Sequence, residues 1–342
     1  MKNLHKIKYV GFVILLLLSM PLAVYAVDGQ IKIAQTSDTT FPIIISKPGS
    51  YVLTSNITVN TPNVHAIKIQ ADRVTLDLNG HVIDGPNQGT GYGIYATNCY
   101  NVTIKNGTII EFNYGVFIHN GNADGGGHLI QGIKAQRNSA YGISVEWATL
   151  TDCIAENNGF GIEAYSSNVR YCSASFNNVI GIRATNGTVI GCRANTNGGT
   201  GIFVTQCVIT DCTAHNNSSD GINGSGSISN CTSVSNSGDG IDFEGTVTNC
   251  VVLNNSYCGI RAYKSIVVDC LASGNKDDGI AVSGSIVRSC NAQNNGNSSS
   301  DYGIKTRYDY QLRNSYIYGN TSRYNYNNQD YFCNFGTCED NI

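Results

Sequence analysis

Apolar residues alternate with polar ones along this chain in short bursts, and the bursts return at a fixed step. An aliphatic residue falls at Leu150, Val169, Val189, Ile209, Ile228, Val247, Val267 and Val287. Three residues later comes cysteine, at Cys153, Cys172, Cys192, Cys212, Cys231, Cys250, Cys270 and Cys290, so the step is 19 or 20 residues. A small residue follows two positions on, as in Ala155, Ala174, Ala194, Ala214 and Ala272. Asparagine keeps the same step at Asn138, Asn157, Asn177, Asn197, Asn217, Asn236, Asn255 and Asn275. Four residues after each asparagine stands glycine followed by isoleucine, from Gly142 to Gly279. No window has the 3.6-residue period or the length of a helix. A unit of about 20 residues with three short strands predicts one coil of a parallel β-helix, stacked on the next coil about 4.8 Å away.

Stacking gives each repeated position a role. Cysteine and the small residue two further on share the inward face, where cysteine serves as a small apolar filler. Asparagine is expected at a turn, adopting αL and bonding its neighbour in the next coil. Glycine after it is expected to supply φ > 0. Ladder cysteines would hold their Cβ atoms parallel and about 4.8 Å apart, wider than the roughly 3.8 Å of a disulfide, so they read as core thiols. Without a CxxC pair there is no metal-binding pattern among them. Cys333 and Cys338, close together in a polar tail, are the disulfide candidates.

Residues 1–26 read as a secretory signal peptide: a basic start with Lys2, Lys6 and Lys8, an apolar run, then small residues Val24 and Ala26 before a cleavage site. Residues 27–64 read as an N-terminal cap with the first strands, residues 65–306 as the β-helix, and residues 307–342 as a last coil and tyrosine-rich C-terminal cap. The expected total is about twelve coils. The chain carries 21 basic and 24 acidic residues, a net charge of −3 that becomes −6 once the three signal lysines are removed. An acidic chain argues against nucleic acid as a partner. Export places the protein outside the cytoplasm, as a secreted, periplasmic or cell-surface protein with no membrane segment after cleavage.

Three stretches, NVTIKNGTIIEFNYGVFI (residues 101–118), RVTLDLNGHVIDG (residues 73–85) and the recurring N-x-x-x-G-I, resemble the right-handed parallel β-helix proteins of the pectin-lyase-like superfamily. The resemblance implies an all-β, single-stranded, right-handed solenoid. It covers polysaccharide lyases and glycoside hydrolases, but also surface adhesins and periplasmic accessory proteins, so the fold does not choose the function. It also implies that an active site would lie on one strand face. The outward positions after Gly-Ile supply one: Tyr95, Phe117, His119, Glu146, Glu163, Tyr165, Arg183, Phe203, Glu244, Arg261 and Tyr263 are aromatic or charged, the residue types that contact sugars. The plainer reading pairs Glu163 with Arg183 and Asp242 with Arg261 as solvated cross-strand charges.

Within SGDGIDFE, Asp239 and Asp242 are similar to the aspartates of the polygalacturonase-like hydrolases, whose resemblance implies acid and base roles. Asp278 in KDDGIAV is similar to their paired aspartate. The Gly-His-Gly and Arg-x-Lys motifs of those enzymes are absent here, and Asp278 lies two coils from Asp239 rather than one. Asp220, Asp239 and Asp278 precede glycine and with turn carbonyls form a set able to hold Ca²⁺; as turn formers they need no ion. No cofactor is required. The leading expectation is an exported β-helix that contacts polysaccharide or a cell-surface glycan, as a lyase or hydrolase if it is an enzyme. The alternatives are a non-catalytic adhesive or structural protein and a periplasmic accessory protein.

Overall fold

The computed structural model describes residues 29–120, 126–306, 315–326, 329–332 and 336–339. The signal-peptide residues, Arg307 and Cys333 lie outside them, and with Cys333 the Cys333–Cys338 pairing. The described residues form an all-β parallel solenoid, each strand pairing in parallel with its counterpart one coil away, with a register shift between Val204 and Cys207. Most regular coils have three short strands. One begins at Gly-Ile, as in Ile182–Thr185; the next precedes cysteine, as in Thr188–Ile190; the third carries the small residue, as in Arg193–Asn195. In the coils that begin at Ile202, Ile222 and Ile241 the first two run together as Ile202–Thr210, Ile222–Ser229 and Ile241–Thr248. Fourteen strands stack at the Gly-Ile position, from Ile43–Ile45 to Tyr331–Phe332. The expectation of about twelve was low because the strands at both ends lack the cysteine and asparagine that mark the regular repeat.

Corners between the strands explain the polar periodicity. Most regular coils turn three times, and each turn places one residue in the left-handed region. For the coil that begins at Ile202 these are Gln206, Asp211 and Asn216, with φ of 55°, 55° and 53°. In the coils that begin at Ile222 and Ile241 the first corner instead carries Gly224 and Gly226, or Gly245, at φ of 126° to 142°. Asn, Asp, Ser and Gly fill most such corners, as short polar side chains or no side chain tolerate αL best. Trp147, Tyr171 and Phe176 are exceptions, and all three are exposed.

The buried asparagine ladder sits one residue after a corner, not in it. Asn197 N–H and Nδ2 both donate to Asn217 Oδ1, at 3.1 and 2.9 Å, and Nδ2 also donates to Ala174 O at 3.1 Å. The same bonds repeat from Asn138 to Asn325. In one coil the rung is Asn158, which is fully buried, rather than Asn157, which occupies the corner with φ 55°. The ladder also settles why glycine follows. None of the glycines before isoleucine from Gly142 to Gly279 has positive φ. A Cβ on Gly181 would instead lie 2.6 Å from Asn197 Nδ2 and 2.6 Å from Gly201 O. Glycine is required by close approach of the next coil, so the expectation of φ > 0 was wrong.

The eight ladder cysteines are buried with the small residues two positions on. Cysteine acts as a weaker asparagine: Cys192 N–H donates to Cys212 Sγ at 3.4 Å, and the Cys212 thiol donates to Thr210 O at 3.2 Å. In the last regular coil Asn320 takes the cysteine position, and its Oδ1 accepts from Cys290 N–H at 2.8 Å. Among the described residues no helix is long and apolar enough to cross a membrane.

Candidate functional site: the Gly-Ile face

Parallel in-register pairing turns the first outward residue after Gly-Ile into a continuous column. Lys68, Tyr95, Phe117, Ser144, Glu163, Arg183, Phe203, Asn223, Asp242, Arg261, Ala281 and Lys305 follow one another coil by coil. His119, Glu146, Tyr165, Glu244 and Tyr263 lie two residues further along their strands, on the same face. The pre-glycine residues form a further column, which holds Tyr92, Tyr114, Tyr141 and Phe160 in the early coils. In later coils it holds Asp220, Asp239, Cys258 and Asp278.

The early coils carry an aromatic array. Tyr114 stacks on Tyr141 at 4.9 Å and Tyr141 on Phe160 at 4.7 Å. Tyr95 stacks on Phe117 at 5.7 Å with planes 8° apart, and His65 stacks on both Tyr92 and Tyr95. Rings at coil spacing cover one another's faces, which changes the expected chemistry. The array presents its edges and the half-buried phenol hydroxyls of Tyr92, Tyr95, Tyr114 and Tyr141 outward, rather than open faces for sugar stacking. His65 Nδ1 accepts the Tyr92 N–H at 3.1 Å, and burial followed by the Lys68 charge holds His65 below its usual range.

Next to the array lies a polar chain. Glu146 Oε1 is 3.0 Å from His119 Nδ1, and His119 Nε2 is 2.8 Å from Ser144 Oγ. Ser144 donates to Glu163 Oε2 at 3.1 Å, and the Tyr165 hydroxyl donates to Glu163 Oε1 at 3.0 Å. Arg183 reaches Glu163 at 3.4 Å, with its guanidinium 5.5 Å from the Phe160 ring and 5.7 Å from the Phe203 ring. Glu163 and Ser144 are buried. Burial and Glu163 push the Tyr165 hydroxyl above its usual range. The Glu–His–Ser order has the outline of a nucleophile triad, but Ser144 is 1% exposed and already donates to Glu163. It is a link in the chain rather than an attacking group.

The later coils hold the acidic group. Asp220 Oδ1 accepts the Asp239 N–H at 2.8 Å, Asp239 Oδ1 accepts the Cys258 N–H at 2.9 Å, and Asp278 Oδ1 accepts the Tyr302 N–H at 2.8 Å. These carboxylates cap the next coil, as the turn-former reading expects. Arg261 reaches Asp239 at 3.2 Å, so the ion pair expected with Asp242 forms one residue column away. Burial pushes Asp239 up to about 6, with Arg261 pulling down and Asp220 pushing up. Asp242 is raised in the same way, first by burial. Asp278 is fully buried, two coils from Asp239, and lies 3.6 Å from Lys305. Glu244 is exposed and lies 4.0 Å from Lys264, whose ammonium sits 4.6 Å from the Tyr263 ring. Sequence reasoning passed over the pre-glycine aromatics, although YGI, YGV, YGI and FGI spell them out.

The family described as "Right handed beta helix region" matches residues 92–227. The protein is a right-handed parallel β-helix. A search of curated proteins gives no match. Among solved structures, the A-module of the Azotobacter vinelandii mannuronan C-5 epimerase AlgE6 is similar at a TM-score of 0.52 and 15% identity, covering 86% of this chain and 88% of that one. A double mutant of the periplasmic alginate epimerase AlgG is similar at a TM-score of 0.57 and 12% identity, covering 82% of this chain and 76% of that one. At such identities the likeness describes the β-helix fold, which this chain shares across most of its length.

Proposed function

We propose that this protein is an exported β-helix that contacts a glycan along the outward face of its Gly-Ile strands. The observation that carries the reading is the single in-register column from Lys68 to Lys305, flanked by the row of tyrosine hydroxyls. It lines up hydrogen-bonding groups along one axis at a repeat of about 4.8 Å, which suits an extended polymer. The epimerases named above are named for mannuronan and alginate, which supports a polysaccharide as the ligand class.

Contact is the first reading and catalysis the second. The chain from Glu146 through His119, Ser144 and Glu163 to Tyr165 favours catalysis, because it can move a proton to or from an outward hydroxyl. The aspartates proposed as acid and base have other duties: Asp239 and Asp278 are spent on backbone N–H groups, which leaves Asp242 as the outward carboxylate of that set. Ca²⁺ is not needed for the contact reading, and Arg261 and Lys305 already neutralise two of the turn aspartates. The test is a panel of neutral, uronate and amino-sugar polysaccharides, scored for retardation of the protein in affinity electrophoresis and for new reducing ends or unsaturated products. Retardation by at least one polymer, lost in Tyr141→Ala with Tyr95→Ala, is the expected result. No retardation and no product on any polymer would overturn the reading.

A further inference from the structure

We propose that the Gly-Ile face selects a glycan bearing free amino groups over a polyuronate; this rests on the glycan-contact reading above. A polyuronate needs basic groups that are available to it; Lys68 of the early coils lies over the Tyr95 ring at 5.8 Å, and the basic groups of the central and later coils are engaged by carboxylates. Arg183 is held by Glu163 at 3.4 Å and lies between the Phe160 and Phe203 rings. Arg261 is held by Asp239 at 3.2 Å, Lys264 by Glu244 at 4.0 Å. Lys305 lies 3.6 Å from Asp278 and donates to Ser300 O at 2.6 Å. Binding a carboxylated sugar would break these pairs and strand carboxylates such as Glu163 and Asp278, both buried.

After those pairs are formed the surplus charge on the face is negative. Asp242 points outward in the column between Asn223 and Arg261, half-buried, and makes no hydrogen bond to any described residue. Asp220 adds a second carboxylate nearby, spent on Asn223 at 2.8 Å and on the Asp239 N–H. Burial is the main force that raises Asp242; Arg261 pulls it down, and repulsion from Asp220 adds a smaller push up. A ligand ammonium at Asp242 relieves that repulsion, while the tyrosine hydroxyls bond the neutral hydroxyls of neighbouring sugars. A ligand carboxylate at the same place adds to the repulsion.

Calorimetric titration of the intact protein with hexamers of glucosamine, N-acetylglucosamine and galacturonate separates the outcomes. The expected result is tightest binding to the glucosamine hexamer, weakening with added salt, with about a tenfold loss, or about 1.4 kcal/mol, in Asp242→Asn. Asn is the side chain that the column already holds at Asn223, so the fold should survive, and Asp242→Glu should retain most of the affinity. Galacturonate binding as tight as glucosamine, with or without Ca²⁺, would overturn the selectivity while leaving glycan contact standing. Equal binding of glucosamine and its N-acetylated form would overturn it as well. Failure of all three hexamers together with the polysaccharide panel would overturn the contact reading itself.

Discussion

Replacing Asn217 by alanine tests whether the asparagine ladder, rather than the hydrophobic filling, holds one coil to the next. Asn217 is 1% exposed. Its Oδ1 accepts from Asn197 N–H at 3.1 Å and from Asn197 Nδ2 at 2.9 Å; its Nδ2 donates to Ala194 O at 3.1 Å and to Asn236 Oδ1 at 2.9 Å. Alanine removes all four bonds and strands the Asn197 N–H inside the solenoid. One orphaned buried donor costs about 1–3 kcal/mol, and the lost bonds to Ala194 and Asn236 add to it, so the expected cost is about 3 kcal/mol. Cys212→Ala is the matched control one corner earlier. It removes only sulfur bonds, from Cys192 N–H to Sγ at 3.4 Å and from the thiol to Thr210 O at 3.2 Å and Val189 O at 3.4 Å, and little volume, so its cost is about 1–2 kcal/mol. Urea unfolding followed by circular dichroism gives both numbers, and hydrogen exchange at the Asn197 amide reports whether the opening is local. The reasoning is refuted if Asn217→Ala costs no more than Cys212→Ala, or if the Asn197 amide stays as protected as before.

Gly181→Ala should destabilise as strongly as the asparagine change, because its Cβ would lie 2.6 Å from Asn197 Nδ2; a Tm within a degree or so of the parent would contradict this. Asp239 has a folded carboxyl pushed up to about 6, above its unfolded value of about 3.9. The native state therefore holds a proton that the unfolded chain has lost, and stability falls as pH rises from about 4 to about 6, by about 3 kcal/mol from this group. Asp239→Asn, which keeps an oxygen for the Cys258 N–H, should flatten that slope in urea titrations at stepped pH. Arg183→Ala should cost about 2 kcal/mol, since it leaves the buried Glu163 without its cation, and pairing it with Glu163→Gln should recover most of the loss. The eleven cysteines from Cys99 to Cys290 are all buried, so peptide-level alkylation should label none of these until denaturant is added.

Period and composition were enough to reach the all-β parallel solenoid, since a ladder must repeat the same residue at the same place in every coil. The inward cysteines and small residues were legible for that reason. Asn158 was missed because a shortened turn keeps Asn157 in step with the repeat while moving the rung by one residue. The role of glycine was misread because clash with an adjacent coil cannot be seen from one coil alone. On the functional face, register placed Glu163 beside Arg183 correctly. It could not show that Arg261 bends back to Asp239, since a side chain crosses between columns while a register runs along one. Nor could residue type tell that the aromatic rings spend their faces on one another.

The most direct test of the account is affinity electrophoresis of the intact protein through the polysaccharide panel, run beside two variants. One changes the Gly-Ile face, Tyr95→Ala with Tyr141→Ala; the other changes a surface residue on the small-residue strand face, His215→Ala. The account predicts retardation of the parent and of His215→Ala by at least one polymer, with retardation lost in the Tyr95/Tyr141 pair. Equal retardation of all three, or none by any polymer, would contradict the assignment of glycan contact to this face.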